Sequence, residues 1–362
     1  MILTRDGENL EPLQISLKWI LFATRPLKLQ ELYFAVQLGL GKWSSSCWDQ
    51  EDVDLDQMKT FVRSSSKGLA EVTRNKASEV QFIHESIRDF LLGKYEGQWS
   101  GVSGNFVGHG HELLRNYCLA QLNAPISQDV DIPNPLPQAS KAAKLQDSIS
   151  LKFPFLEYSV LNVLYHANGA QQNAIEQRDF LTDFPLQQWI FLNNTLERYD
   201  VRRYKKSVSI LYILAEKNLA DLIRIHPQRQ SSFNAEDEHY GLPFFAALAT
   251  GSNEAVCMFL NIQAETQPSM SPLHDLCKQY CQDRKKWANF GRDFHFSRRR
   301  VVPSYVTVHG NEILLAFLIE LGQCMPDSKD KDGRTLLLWA AMRGHEGIVL
   351  NCESGIQERL GD

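Results

Sequence analysis

Three His-Glu pairs, His84-Glu85, His111-Glu112 and His345-Glu346, raise the question of zinc-dependent hydrolysis. A helical zinc site of that type needs a second histidine three residues beyond the glutamate, so that both imidazoles share one face. Those positions hold Arg88, Arg115 and Val349, and the site fails three times. His274, Cys277 and Cys281 fall on one helix face, with His109 and His111 as further donors elsewhere. A structural zinc site closes with four ligands, and no partner pair accompanies these. Cys277 is expected to act as a small hydrophobe. No G-x-S-x-G occurs, since GVSGN (Gly101–Asn105) lacks the last glycine. No phosphate loop occurs either: Gly41-Lys42 runs on to Trp43 and Gly93-Lys94 to Tyr95. Nucleotide hydrolysis thus lacks its backbone cradle and its magnesium-holding hydroxyl. No catalytic residue, metal ligand or cofactor is expected.

What remains is binding chemistry. The segment Asp283–Arg300 (DRKKWANFGRDFHFSRRR) sets seven Lys/Arg among Trp287, Phe290, Phe294 and Phe296. Such a mixture grips acidic partners or stacks on unpaired bases. Trp287, Arg298, Arg299 and Arg300 are therefore the candidate partner-binding residues, and the plainer expectation for them is a solvated loop. The acidic run Asp49–Asp56 suits a helix N-terminus.

The chain around these residues has 362 residues, a soft prior of two to three domains. It carries 38 Lys+Arg against 43 Asp+Glu, a net charge of −5, which excludes a protein that coats nucleic acid through bulk positive charge. At 43% hydrophobic and 22% charged residues, it has material for sizeable cores. Seven cysteines without framework spacing, and a first dozen residues without an apolar core of signal-peptide type, point to a cytoplasmic setting. The longest apolar run considered, Ile313–Ile319, falls well short of the ~20 residues of a membrane helix.

Periodicity predicts the positioning elements. Leu13, Leu17, Ile20 and Leu21 mark a helix that must stop before Pro26. Leu29, Leu32, Tyr33, Val36 and Leu40 mark a second, and Leu55, Met58, Phe61 and Val62 a third. Gly68–Val72 and Val80–His84 alternate as a hairpin, and Ser86–Leu92 returns to helical spacing. Three helices followed by a β-hairpin are the order of a winged-helix module. Leu17, Ile20, Leu32, Val36, Phe61, Phe82, Ile87 and Phe90 are predicted to share its core. Residues 97–110 read as a Gly/Ser linker, 111–122 as a helix, and 123–137, with four prolines, as a loop. Helices are expected again from Lys152 to Tyr199.

Beyond residue 205 a unit recurs. SILYILA (Ser209–Ala215), LPFFAAL (Leu242–Leu248), SPLHDLC (Ser271–Cys277) and TLLLWAA (Thr335–Ala341) each open a short helix. The first two starts lie 33 residues apart, the ankyrin period. Second helices are expected at Asn253-Glu254, Asn311-Glu312 and His345-Glu346, which makes about 282–308 an insertion between the two helices of the third unit.

LKWILFATRPLKLQELYFAV (Leu17–Val36) and SSSKGLAEV…VQFIHESIRDFLL (Ser64–Leu92) resemble the winged-helix segment beyond the nucleotide-binding module of fungal NACHT–ankyrin proteins, which are of the NOD-like receptor (STAND) type. FPFLEYSVLNVLYHA (Phe153–Ala167) and DKDGRTLLLWAAMRGHEGIV (Asp330–Val349) are similar to the same family. The resemblance implies a mainly α chain in three parts. These are a winged-helix module with a small β-hairpin over 1–95, a linker and helical bridge over 96–205, and a short solenoid of degenerate ankyrin repeats over 206–352, with a tail at 353–362. It implies a non-enzymatic regulatory role, a protein partner on the ankyrin surface and a nucleotide-binding module in trans, with no membrane. The alternatives are a nucleic-acid-binding winged-helix protein, against which the acidic third helix argues, and a truncated gene product with no independent role.

Overall fold

The computed structural model describes residues 10–43, 47–49, 51, 53–93, 105–234, 238–269, 271–282, 302–308, 310–327, 329, 330 and 332–349. The protein is mainly helical, with one small antiparallel sheet of two strands. It divides into two compact units, one ending at Lys206 and one starting at Ser207.

The first unit begins with α1 (Leu10–Phe22), α2 (Leu29–Gly39) and α3 (Leu55–Ser65). Asp54 caps α3: its carboxylate accepts the Gln57 amide at 2.8 Å while the Gln57 side chain accepts the Asp54 amide at 3.1 Å. This reciprocal pair satisfies two of the donors a helix start leaves open. The strands β1 (Ala70–Val72) and β2 (Val80–Phe82) pair with Ala70 opposite Phe82. Residues 27–29 add to the outer edge of β2 through Val80 N to Leu27 O and Leu29 N to Ser78 O. The last element of this group, α4, spans Glu85–Gly93.

Then follow α5 (Phe106–Gln121), α6 (Ile126–Asp129), α7 (Ala139–Lys152), α8 (Leu156–Gln172), α9 (Arg178–Asp183) and α10 (Leu186–Thr195). Helix α5 packs along α8. At Gly169 of α8 an added Cβ would come within 2.9 Å of the His111 ring, so the glycine sets how near the two helices lie.

The described residues of 10–93 and of 105–205 share one core. Helix α1 is buried on several sides, because Leu13, Leu17 and Leu21 form one stripe while Ile15, Trp19 and Phe22 form another. Trp19 is fully buried and meets the rings of Phe155 and Tyr158 edge-on, at 5.2 and 5.6 Å. It fills the place expected for Ile20, which is only partly buried. Phe61 and Ile87 are likewise partly buried, and Phe90 is 42% exposed; in α4 it is Leu91 that points inward. The expected core thus holds for Leu17, Leu32, Val36 and Phe82 and is corrected at the other four. Two boundaries shift as well. Residues 106–110 of the expected linker are helix, and α7 occupies a stretch given no element from sequence.

The second unit consists of short helices: α11 (Ile210–Glu216), α12 (Ala220–Ile225), α13 (Pro243–Thr250), α14 (Asn253–Thr266), α15 (Pro272–Gln282), α16 (Val302–Val308), α17 (Glu312–Glu320) and α18 (Leu336–Arg343). Residues 346–349 are helical as well. Local signals set the ends. Ser209, Ser271 and Thr335 hydroxyls accept the amides of Tyr212, His274 and Leu338, and Gly251 and Gly344 close α13 and α18 at φ near +70°, where glycine costs least. Fully buried Phe244 anchors the core among Phe233, Phe259 and Phe317.

The expected insertion at 282–308 is corrected at its far end. Val302–Val308 is a helix with Val306 and Thr307 fully buried, packed on α17 and α18. It begins 34 residues before the first residue of α18, close to the 33 that separate the starts of α11 and α13. The far end of the expected insertion is therefore core, and Pro303 is buried with it.

Candidate interaction surfaces

Trp287, Arg298, Arg299 and Arg300 lie outside the described residues, as does most of the basic segment. The histidines and cysteines are placed. His84 sits at the start of α4, where Nδ1 accepts the Ser86 amide at 3.1 Å, so it caps a helix. His109 pairs with Glu112 at 3.2 Å on the α5 surface. His274 lies 3.3 Å from Asp275. Cys277 is buried, and burial pushes its thiol up to about 12. Cys281 also titrates high, through its hydrogen bond with Cys257 and then burial. Both thiols therefore stay protonated and unreactive near neutrality. Among the described residues no three His, Cys, Asp or Glu side chains converge as metal ligands.

The start of α3 borders a groove of about 470 Å³, lined by Gln30, Trp48, Val53, Asp54, Leu55, Asp56 and Lys59. Asp49, Glu51, Asp54 and Asp56 are exposed here, and Lys59 is engaged by Asp56 at 2.9 Å. A phosphate backbone meets repulsion on this face. Asp54 is no idle solvated carboxylate, because it holds the helix cap; reversing its charge removes that cap. The hairpin adds Arg74 and Lys76, both exposed, against Glu71 and Glu79.

A second groove, of about 490 Å³, lies between the proline-rich strap after α6 and the outer face of α10. Val130, Ile132 and Leu136 face Ile190 and Phe191 across it, with Asp131 and Lys206 among the lining residues. Its walls are held from behind by Arg203, whose side chain is only 9% exposed. The guanidinium donates to the carbonyls of Asn194, Leu136, Pro137 and Glu197. Asn194 in turn clasps the Tyr204 backbone through both of its amide atoms.

In the second unit the turn before α18 is built around Asp330. Its carboxylate accepts the Asp332 and Arg334 amides at 2.9 Å each and the Trp339 indole N–H at 2.8 Å. Burial raises its pKa, but the bonds from Arg334, Trp339 and Asp332 outweigh that and hold the carboxyl below the usual range. Arg334 covers the Trp339 ring at 4.7 Å, and Leu338 and Met342 stand exposed one turn apart on the same helix. His345 bonds back to the Val308 carbonyl at 3.1 Å, tying the end of α18 to α16.

Sequence reasoning missed a buried polar chain in the first unit, formed by His111, His166 and Tyr158. The residues are separated by up to 55 positions, so no local spacing marks them. No helix among the described residues is long and apolar enough to cross a membrane. The chain matches no family model, no curated protein and no solved structure.

Proposed function

We propose that this protein is a non-enzymatic regulatory and protein-interaction module, with a winged-helix arrangement in the first unit and a short ankyrin-like stack in the second. The observation that carries this reading is the recurrence of paired helices at 33 to 34 residues, from the start of α11 to that of α13 and again from the start of α16 to that of α18. Repeats of this length bury a core between neighbours and leave a continuous outer face for partners. The helix order α1–α3, hairpin, α4 supports the winged-helix part, and the acidic start of α3 favours a protein over a nucleic-acid partner. The resemblance to NACHT–ankyrin proteins makes the partner of the first unit a nucleotide-binding module acting in trans.

The experiment is a titration of the full chain against a purified NACHT-type nucleotide-binding module, loaded with ADP or with ATP. The expected result is binding whose affinity differs between the two loaded forms, with no nucleotide bound or hydrolysed by the chain alone. A parallel titration with duplex DNA at physiological salt should give only weak, salt-sensitive binding. Nanomolar, sequence-selective duplex binding would overturn the reading in favour of a nucleic-acid-binding protein.

A further inference from the structure

The α5–α8 interface encloses two histidines that a binding module does not require. His166 is fully buried and His111 half-buried, with their Nδ1 atoms 3.1 Å apart. Nε2 of His166 lies 2.9 Å from the Tyr158 hydroxyl, whose oxygen accepts the Thr24 amide at 3.2 Å. One proton arrangement serves every atom. The Thr24 amide donates to Tyr158, the Tyr158 hydroxyl donates to Nε2 of His166, and Nδ1–H of His166 donates to Nδ1 of His111. His111 then carries its proton on Nε2. In the reverse sense the phenolic hydrogen would lose His166 as its acceptor. Both imidazoles are neutral in this chain.

The surroundings oppose a positive charge. Aromatic rings crowd the pair: Trp19 stands edge-on to His166, Phe22 lies 5.4 Å from His111, and Tyr165 flanks both. The charged or titratable groups on the neighbouring elements are Glu11 and Lys18 of α1, Arg25, Glu31 of α2, His109, Glu112 and Arg115 of α5, and Glu157 of α8. Arg25 stacks on Tyr158 and is already neutralised by Glu31 at 2.7 Å, and Glu112 is shared by His109 and Arg115. Cys118 and Tyr158 are both held protonated by burial. Among the described residues no carboxylate bonds to either imidazole. Burial accordingly lowers the pKa of both histidines, and the neighbouring ring lowers that of His166 further.

We propose that the His111–His166 pair is an acid-operated latch, whose protonation breaks the shared hydrogen bond and releases α5 from α8 within the first unit. Adding a proton to Nδ1 of His111 removes the acceptor and sets two N–H groups face to face at 3.1 Å. The sign follows from where the proton prefers to bind. The opened helices titrate near the ordinary histidine value of ~6.5 and the closed pair below it. The interface is therefore at full strength above about pH 6.5 and weakens as the pH falls below that value.

Hydrogen exchange in α5 and α8 of the full chain, followed from pH 7.5 to 5.0 and corrected for intrinsic rates, tests the latch. A histidine that stays neutral while the pair is closed should raise the opening equilibrium about 30-fold over that range. His111→Gln should remove one such factor, and His111→Gln with His166→Gln should flatten the profile. Nitrogen shifts of the wild-type imidazoles give a second readout that needs no variant. At pH 7 they should place the proton of His166 on Nδ1 and that of His111 on Nε2. Exchange indifferent to pH, a slope unchanged in His111→Gln, or an imidazolium signal at pH 7 would each overturn the proposal.

Discussion

The two units solve the same problem, burying helices, by different means. The first unit is built around two long helices, with 16 residues in α5 and 17 in α8, and its core joins residues far apart in sequence. Trp19 reaches Phe155 and Tyr158, and Thr24 reaches Asn162 across 138 positions. In the second unit most helices run six to nine residues, too short to hold their shape alone. Their ends are fixed locally by Ser209, Ser271 and Thr335 hydroxyls and by Gly251 and Gly344. Long-range aromatic packing thus carries the first unit, while the second combines local caps with one phenylalanine cluster. The first should unfold as a block, and the second should tolerate damage at one cap but not at its shared phenylalanine cluster.

Substitutions can break or sharpen that contrast. The largest effect is expected for Trp19→Ala, at ~3–5 kcal/mol, since it empties the centre that α1 shares with α5 and α8. Urea unfolding reads it directly, and a loss below ~1 kcal/mol would mean that α1 belongs to a separate core. Next comes a pair on α4. Leu91→Ala should cost ~2–4 kcal/mol and Phe90→Ala about 1, because only Leu91 is fully enclosed. Equal losses would show that α4 turns its other face inward.

In the second unit Asp330→Ala should cost ~1–3 kcal/mol, by removing the carboxylate that accepts the Trp339 indole and two amides. The carboxyl titrates below its unfolded value, so the stability it adds is complete above about pH 4 and is lost as the pH falls through the lowered value. An acid titration of wild type against Asp330→Asn separates that contribution from the rest. Smallest is Ser209→Ala, at about 1 kcal/mol for one helix cap. A much larger loss would mean that the stack has no tolerance for local damage.

The same contrast explains how much could be foreseen. Caps and turn residues are local, so the starts of α11, α13, α15 and α18 and the hairpin were all legible in the sequence. Helix α16 was not, because V-P-S-Y-V-T-V is rich in β-branched residues and lacks a capping hydroxyl before its proline. The beginning of α5 was obscured by Gly108 and Gly110, which read as linker yet serve close packing against Ile175 and Phe22. Ile87, Phe90 and Leu91 all fit an inward stripe, and only the packing of neighbouring elements decides which is enclosed. The His111–His166 contact exists only after the fold has formed.

Arg203 carries a consequence beyond the groove it supports. Cys47 and Cys118, the cysteines of the first unit, are free thiols, so no disulfide ties the strap at Leu136–Pro137 to the turn after α10. The guanidinium supplies one, joining backbone segments 66 and 67 positions away. A fork of five donors can hold several carbonyls at once, whereas a lysine ammonium is a compact charge that cannot span them. The result is a cross-link that restrains a long loop yet has no reduction potential. It should persist unchanged through swings in thiol redox state that would open a disulfide in the same place.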